Sequence, residues 1–168
     1  MFTQKVKDAL NQQIGKESYS SALYLAMASW AEVKGYKGTS AWLYDQSEEE
    51  RRHMLKIIRY VNERGGQSII PDIDKPPVDY NDIHKLFRDV LEHEKMITDS
   101  INQIVGICID EKDFTTHNWI QWFVNEQIEE EASVNNILDR LQLIGDGNLY
   151  LFDRDIMALR GSTRSEAN

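Results

Sequence analysis

The chain has 168 residues and a formal net charge of -9, with 28 acidic against 19 basic side chains. This length lies in the usual range of ~100–200 residues for one domain, and 41% hydrophobic residues exclude a disordered chain. The acidic balance disfavours nucleic acids and anionic membranes as partners, because phosphate groups are bound by clustered Lys and Arg. Cations remain as natural ligands.

The sequence also limits the compartment. The longest apolar stretch, residues 22–28, is far shorter than the ~20 residues of a membrane-spanning helix. The N-terminus lacks the basic start and apolar run of a secretory signal. A single cysteine, Cys108, excludes an internal disulfide and a cysteine-rich metal site. We therefore expect a cytoplasmic protein in which Cys108 is a small buried hydrophobe.

Apolar residues recur at helical spacing between a few breaks. These breaks are Gly35 with Gly38, Gly65 with Gly66, the Pro-containing segment 67–81, and a last glycine pair at 145 and 147. The pattern predicts four long helices over residues 4–34, 40–65, 82–110 and 115–143, and a short fifth helix over 148–160. We expect residues 1–160 to form the domain and residues 161–168 to form a flexible tail.

The Pro-containing segment decides the predicted topology. Its 15 residues, fully extended, reach ~50 Å, whereas the helix before it is only ~39 Å long. The segment can therefore run along the bundle and start the third helix beside the start of the second. The other connections are short and make antiparallel neighbours, so we predict an all-α four-helix bundle with one long crossover and a short C-terminal helix.

The core-facing positions of each long helix are interrupted by polar side chains near the helix midpoint. The interruptions fall at one level of the bundle to within ~5 Å. No Lys or Arg occupies these positions, so protein cations cannot neutralise the buried carboxylates. A carboxylate-rich set with one imidazole suits a pair of iron or manganese ions better than zinc or calcium. The predicted layer consists of Glu17, Glu50, His53, Glu94, Gln127 and Glu130.

A second acidic group flanks this layer. It contains Glu49, Glu126 and Glu129, and the last two are adjacent to Glu130 on the fourth helix. Spacing alone allows either an additional metal site or a solvated acidic face. Tyr24, on the first helix, either supplies an electron or a hydrogen bond to the metal pair or is an ordinary core residue.

Together these motifs resemble the ferritin family, specifically its haem-free prokaryotic members. The resemblance covers roughly residues 1–160, including the crossover and the short fifth helix. It implies a hollow 24-mer cage that oxidises Fe(II) with O2 or H2O2 and stores Fe(III) as a mineral. The diiron residues that it implies are Glu17, Glu50, His53, Glu94, Glu130 and Gln127, with Glu50 bridging the two irons.

The resemblance extends to the flanking residues and is incomplete in two places. Glu49, Glu126, Glu129 and Glu130 match the third iron site of prokaryotic members, and Tyr24 matches the tyrosine beside their diiron centre. Arg51 stands where bacterioferritins carry a haem-ligating Met, so no haem is expected. Residues 115–119 lack the acidic channel residues of animal ferritins, which leaves the iron entry route open.

Two other functions remain compatible with the sequence. One is a different diiron enzyme on the same bundle, acting on an organic or peroxide substrate. The other is a metal-free helical interaction protein. Particle size separates a cage from a small enzyme, and metal content separates either from an interaction protein.

Overall fold

The computed structural model describes residues 2–164, which form five helices and no β-strand. The first four, α1 (Gln4–Val33), α2 (Lys37–Glu63), α3 (Ile83–Asp110) and α4 (Phe114–Ile144), form the bundle. The fifth helix, α5 (Leu149–Arg164), packs against α2 and α4. The predicted four-helix bundle with a short fifth helix is therefore confirmed. No helix within the described residues is long and apolar enough to span a membrane.

The predicted crossover follows α1 along most of its length. The backbone N–H of Ile69 donates to Asn11 Oδ1 at 2.8 Å, near the start of α1. At the other end of the segment, Trp30 Nε1 donates to Asp79 Oδ1 at 2.9 Å, near the end of α1. The 19 residues from Asn11 to Trp30 correspond to ~29 Å of helix. The connection therefore spans the bundle, as its length allowed.

Two helix boundaries differ from the sequence prediction by three residues or more. The second helix begins at Lys37 rather than residue 40, so Gly38 lies in its first turn instead of breaking the chain. Gly35, with φ of 92°, makes the turn between α1 and α2. The fifth helix continues to Arg164, so residues 161–164 of the predicted tail are helical. Residues 165–168 of that tail lie outside the described residues.

The bundle core consists of two hydrophobic clusters, one on each side of a polar layer. Trp42 and Phe87 are fully buried in the cluster that α5 covers. Ile101 and Phe123 are buried in the other cluster, which also contains Cys108 as expected. Along α1 and α3 the apolar core residues stop on either side of Glu17 and Glu94. The fold therefore surrounds the polar layer with apolar side chains.

Candidate metal centre

The structure brings all six residues of the predicted polar layer into the core. Each is at most 7% exposed. All four long helices contribute, α1 and α3 with one side chain each and α2 and α4 with two each. The six are Glu17, Glu50, His53, Glu94, Gln127 and Glu130. A single level of the bundle therefore holds four carboxylates and one imidazole.

In one half of this layer the potential ligand atoms lie close enough together to hold a metal ion. One potential ligand atom from each of Glu17, Glu50 and His53 lies within 4.8 Å of the others. His53 Nδ1 is 3.2 Å from Glu50 Oε2. Gln13 Nε2 donates to Glu17 Oε1 at 2.8 Å, but the buried Oε2 has no hydrogen-bond partner. A buried carboxylate oxygen without a partner is costly, and a bound cation would compensate for that cost.

The other half contains two carboxylates held by hydrogen-bond donors. The hydroxyl of Tyr24 donates to Glu94 Oε1, and Gln127 Nε2 donates to Glu94 Oε2 at 3.1 Å. Gln46 Nε2 donates to Glu130 Oε2 at 2.5 Å. Gln46 was not among the predicted site residues. Its position, one turn before Glu50 on the core face of α2, was the available signal.

Burial raises the pKa values of the carboxyl groups in this layer. The pKa of Glu94 rises to about 7 and that of Glu130 to about 8, while that of Glu50 rises well above its usual range. Burial opposes the charged form of His53, but the neighbouring carboxylates of Glu126 and Glu50 outweigh it and raise the pKa to about 11. The layer without a cation therefore holds protons at neutral pH, and an arriving cation must displace them.

A second group of potential ligands shares His53 with the first. Ligand atoms of Glu49, His53 and Glu126 lie within 4.8 Å of one another, with His53 Nε2 3.8 Å from Glu126 Oε2. Glu49 and Glu126 are half-buried and line a pocket of about 470 Å³ between α2 and α4. Glu129 is exposed, and no ligand group found within residues 2–164 includes it. Two of the three flanking carboxylates therefore lie close enough to His53 to form a ligand group with it.

Aromatic side chains flank the site on two sides. Tyr24 is fully buried, and its burial raises the pKa of the phenol well above its usual range, which keeps it a donor to Glu94. Trp122 lies edge-to-face against His53, with ring centroids 5.4 Å apart. Trp122 was not among the predicted site residues, although it stands one helical turn before Glu126. Both rings restrict the space around the ligand atoms.

His93 is a buried neighbour of the layer without a ligand role. Its Nε2 is 2.7 Å from Ser20 Oγ, and its ring lies edge-on to Tyr24 with centroids 5.8 Å apart. Burial lowers its pKa to about 4, so the imidazole is neutral. It is a hydrogen-bonded core histidine.

Residues 7–144 match the family model described as ferritin-like domain. Curated relatives include a probable bacterial non-heme ferritin-like protein of Haemophilus influenzae, 40% identical over 93% of this chain and 96% of the relative. The bacterial non-heme ferritin of Campylobacter jejuni is 39% identical over 93% of this chain and 95% of the relative. Among solved structures, an open pore ferritin from the hyperthermophilic archaeon Archaeoglobus fulgidus has a TM-score of 0.90 at 40% identity, covering 92% of this chain and 95% of that one.

Proposed function

The chain belongs to the ferritin family, and we propose that it is a cytoplasmic iron-storage ferritin that oxidises Fe(II) at a diiron centre inside each subunit. The observation that carries this proposal is the buried layer of four carboxylates and one imidazole, to which every helix of the bundle contributes. None of its six residues is a Lys or Arg, so cations from solution are the chemical complement of the layer.

The ligands divide into two sets in this proposal. Glu17 and His53 hold one Fe(II), Glu94 and Glu130 hold the other, and Glu50 bridges them. The mutual approach of Glu17, Glu50 and His53 within 4.8 Å supports the first set. The second set rests on the burial of Glu94 and Glu130 at the same level. Gln127 stands beside Glu94, with its amide 3.1 Å from Glu94 Oε2.

Iron is the substrate of the proposed reaction. Two Fe(II) ions each lose one electron, and O2 takes up these two electrons and two protons to give H2O2. With H2O2 as the oxidant, two electrons and two protons give two molecules of water. Anionic oxygen ligands stabilise the harder, more highly charged Fe(III), which favours oxidation. Tyr24 holds Glu94 in place during the reaction through its hydroxyl.

The flanking carboxylates form an exit and third iron site in this proposal. Glu49 and Glu126 lie beside the diiron layer and face a pocket that opens to the surface of α2 and α4. Glu129 and Glu130 lie on the same face of α4 as Glu126, one helical turn further along the chain. Fe(III) leaving the buried layer would meet these oxygen ligands first.

Storage requires an assembly, and we propose a hollow, haem-free 24-mer. The fold likeness to archaeal ferritins, with a TM-score of 0.90 to the Archaeoglobus fulgidus structure, supports a ferritin-type subunit. Arg51, which lies exposed on α2 in the place of the bacterioferritin methionine, supports the absence of haem. Size-exclusion chromatography tests the assembly, because a cage elutes at ~24 times the 19.5 kDa of one chain.

Aerobic addition of Fe(II) to the metal-free assembled protein tests the reaction, with Fe(III) followed by its absorbance. We expect a fast phase in the wild type that is lost in the double variant Glu50→Ala with His53→Ala. Glu48→Ala is the matched control, because Glu48 lies exposed on the same helix. A fast phase of unchanged rate in the double variant would show that the diiron assignment is wrong.

A further inference from the structure

Two buried glutamines contact the carboxylates of the diiron layer through their amide nitrogens. Gln13 Nε2 donates to Glu17 Oε1 at 2.8 Å, and Gln127 Nε2 donates to Glu94 Oε2 at 3.1 Å. A half-turn of either amide would exchange its nitrogen for its oxygen. The NH2 group can only donate a hydrogen bond, whereas the carbonyl oxygen can bind a cation. The orientation of each amide therefore decides how many ligands the layer offers.

Lys16 and Ser100 determine the orientation of the Gln13 amide. Lys16 Nζ is 2.5 Å from Ser100 Oγ, which is in turn 2.5 Å from Gln13 Oε1. An ammonium group only donates, so Ser100 accepts from Lys16 and directs its own proton at Gln13. The hydroxyl proton is thereby free for Gln13, whose carbonyl oxygen lies on that side and accepts it. Its NH2 is left to face Glu17.

Glu131 and Thr98 determine the orientation of the Gln127 amide in the same way, but here the charged side chain is an anion instead of a cation. Thr98 Oγ1 is 2.6 Å from Glu131 Oε1 and 3.3 Å from Gln127 Nε2. A carboxylate only accepts, so the Thr98 hydroxyl donates to Glu131 and accepts from Gln127. The backbone carbonyl of Glu94, 3.2 Å from the same nitrogen, is also an acceptor. The Gln127 atom that faces Glu94 must therefore be the NH2 group.

We propose that Lys16 with Ser100, and Glu131 with Thr98, are positioning pairs that keep the Gln13 and Gln127 amides as hydrogen-bond donors and out of the metal coordination sphere. Lys16 is exposed and Glu131 half-buried, whereas both glutamines are at most 4% exposed. Each charged side chain near the surface therefore acts through one hydroxyl group on one buried amide. Together they set the number of ligands that the buried site offers to a metal ion. This inference rests on the proposed diiron function.

Both amides lose their orienting partner when the hydroxyl is removed. In Thr98→Val the shape of the side chain is preserved, but Gln127 Nε2 loses the Thr98 hydroxyl and keeps acceptors only on Glu94. In Ser100→Ala the Gln13 oxygen loses its donor. Either amide can then turn its oxygen to a bound metal ion. Thr98→Ser restores the hydroxyl and is the rescue variant.

The test is anaerobic titration of the assembled, metal-free protein with Co(II), whose visible absorption weakens as its coordination number rises. We expect Thr98→Val and Ser100→Ala to lower the intensity per bound Co(II) about twofold or more, since an extra oxygen ligand joins. Thr98→Ser should keep the wild-type spectrum. Ser40→Ala is the matched control, because Ser40 is a buried serine whose hydroxyl donates to the Ala28 carbonyl.

A wild-type spectrum in both Thr98→Val and Ser100→Ala, at full Co(II) binding, would overturn the inference and leave the proposed function intact. A weakened spectrum in Thr98→Ser or Ser40→Ala would also overturn it, because the change would then not follow the hydroxyl. If the wild type binds no Co(II) and oxidises no Fe(II), the proposed function fails and the inference fails with it. A melting curve for each variant separates a local change from unfolding.

Discussion

The imidazole of His53 lies between two carboxylates, with Nε2 3.8 Å from Glu126 Oε2 and Nδ1 directed at Glu50. A single side chain therefore belongs to both ligand groups. Glu126, in contrast, belongs only to the outer group, which also contains Glu49. This difference allows the two groups to be separated by substitution.

We expect Glu126→Ala to lower the number of Fe(II) ions bound per subunit while the first rapid oxidation keeps its rate. His53→Ala should lower both the number and the rate, by roughly 10-fold or more for the rate, because a ligand of the buried pair is lost. Anaerobic Fe(II) titration calorimetry gives the number, and stopped-flow absorbance gives the rate. An unchanged Fe(II) number in Glu126→Ala would contradict an outer iron site.

Fe(II) binding should release protons, and more of them at pH 6.5 than at pH 9. With pKa values of about 7 for Glu94 and about 8 for Glu130, both groups are largely protonated at pH 6.5 and largely ionised at pH 9. His53, with a pKa of about 11, holds its proton at both values. From pH 6.5 to pH 9, the number of protons released on Fe(II) binding should therefore fall by roughly one to two per subunit. The apparent affinity for Fe(II) should rise over the same range.

An anaerobic pH-stat titration with Fe(II) measures this proton release directly. Glu48→Gln, which alters an exposed carboxylate on α2, should give the wild-type proton count at both pH values. Equal proton release at pH 6.5 and pH 9 in the wild type would be incompatible with the raised pKa values of Glu94 and Glu130.

Removing the Tyr24 hydroxyl should slow Fe(II) oxidation without unfolding the protein. In Tyr24→Phe the ring remains, but Glu94 Oε1 loses its donor inside the buried polar layer. An unpaired buried oxygen of this kind costs ~1–3 kcal/mol, so we expect roughly a 10-fold slower reaction or weaker binding of the second Fe(II). Tyr80→Phe is the control, because Tyr80 is a buried tyrosine that donates to the Pro77 carbonyl. If both variants slow the reaction equally, the effect is structural.

The sequence predicted the buried polar layer because helical periodicity shows which side chains of a helix face the core. A residue such as Glu17 or Glu94 stands out as a polar interruption of an otherwise apolar face, and that pattern depends on one helix alone. The hydrogen-bond partners were harder to identify. The contacts of Gln46 with α4, and of Thr98 with the side chain of Glu131, depend on the rotation and separation of two helices, which periodicity does not specify.

The second helix begins earlier than predicted because its cap comes from a distant part of the chain. Gly38 N–H donates to Asp153 Oδ2 at 2.9 Å, and Thr39 N–H donates to Asp153 Oδ1 at 2.8 Å. Tyr36, at the ordinary capping position, makes no side-chain cap. The local sequence therefore predicts a break in the chain at Gly38. In the structure, the Asp153 carboxylate on α5 accepts hydrogen bonds from the free backbone N–H groups in the first turn of α2.

This contact makes Gly38 essential for docking α5. A Cβ atom at Gly38 would lie 1.8 Å from the backbone oxygen of Asp153, which cannot move without displacing the helix. We expect Gly38→Ala to lower the melting temperature by ~5 °C or more. Glu50 lies 12 residues further along α2, ~18 Å away, so the diiron layer should keep its fast oxidation phase at low temperature.

Thermal unfolding of the metal-free protein and stopped-flow oxidation at low temperature test this prediction together. Gly106→Ala is the control, because Gly106 is a helical glycine in α3 with no atom within 4 Å of an added Cβ. That substitution should be neutral or stabilising by up to ~1 kcal/mol, since alanine favours the helix. A wild-type melting temperature in Gly38→Ala would mean that the contact with Asp153 does not hold α5 to α2. Loss of the fast oxidation phase in a folded Gly38→Ala protein would instead mean that α5 docking and the diiron layer are coupled.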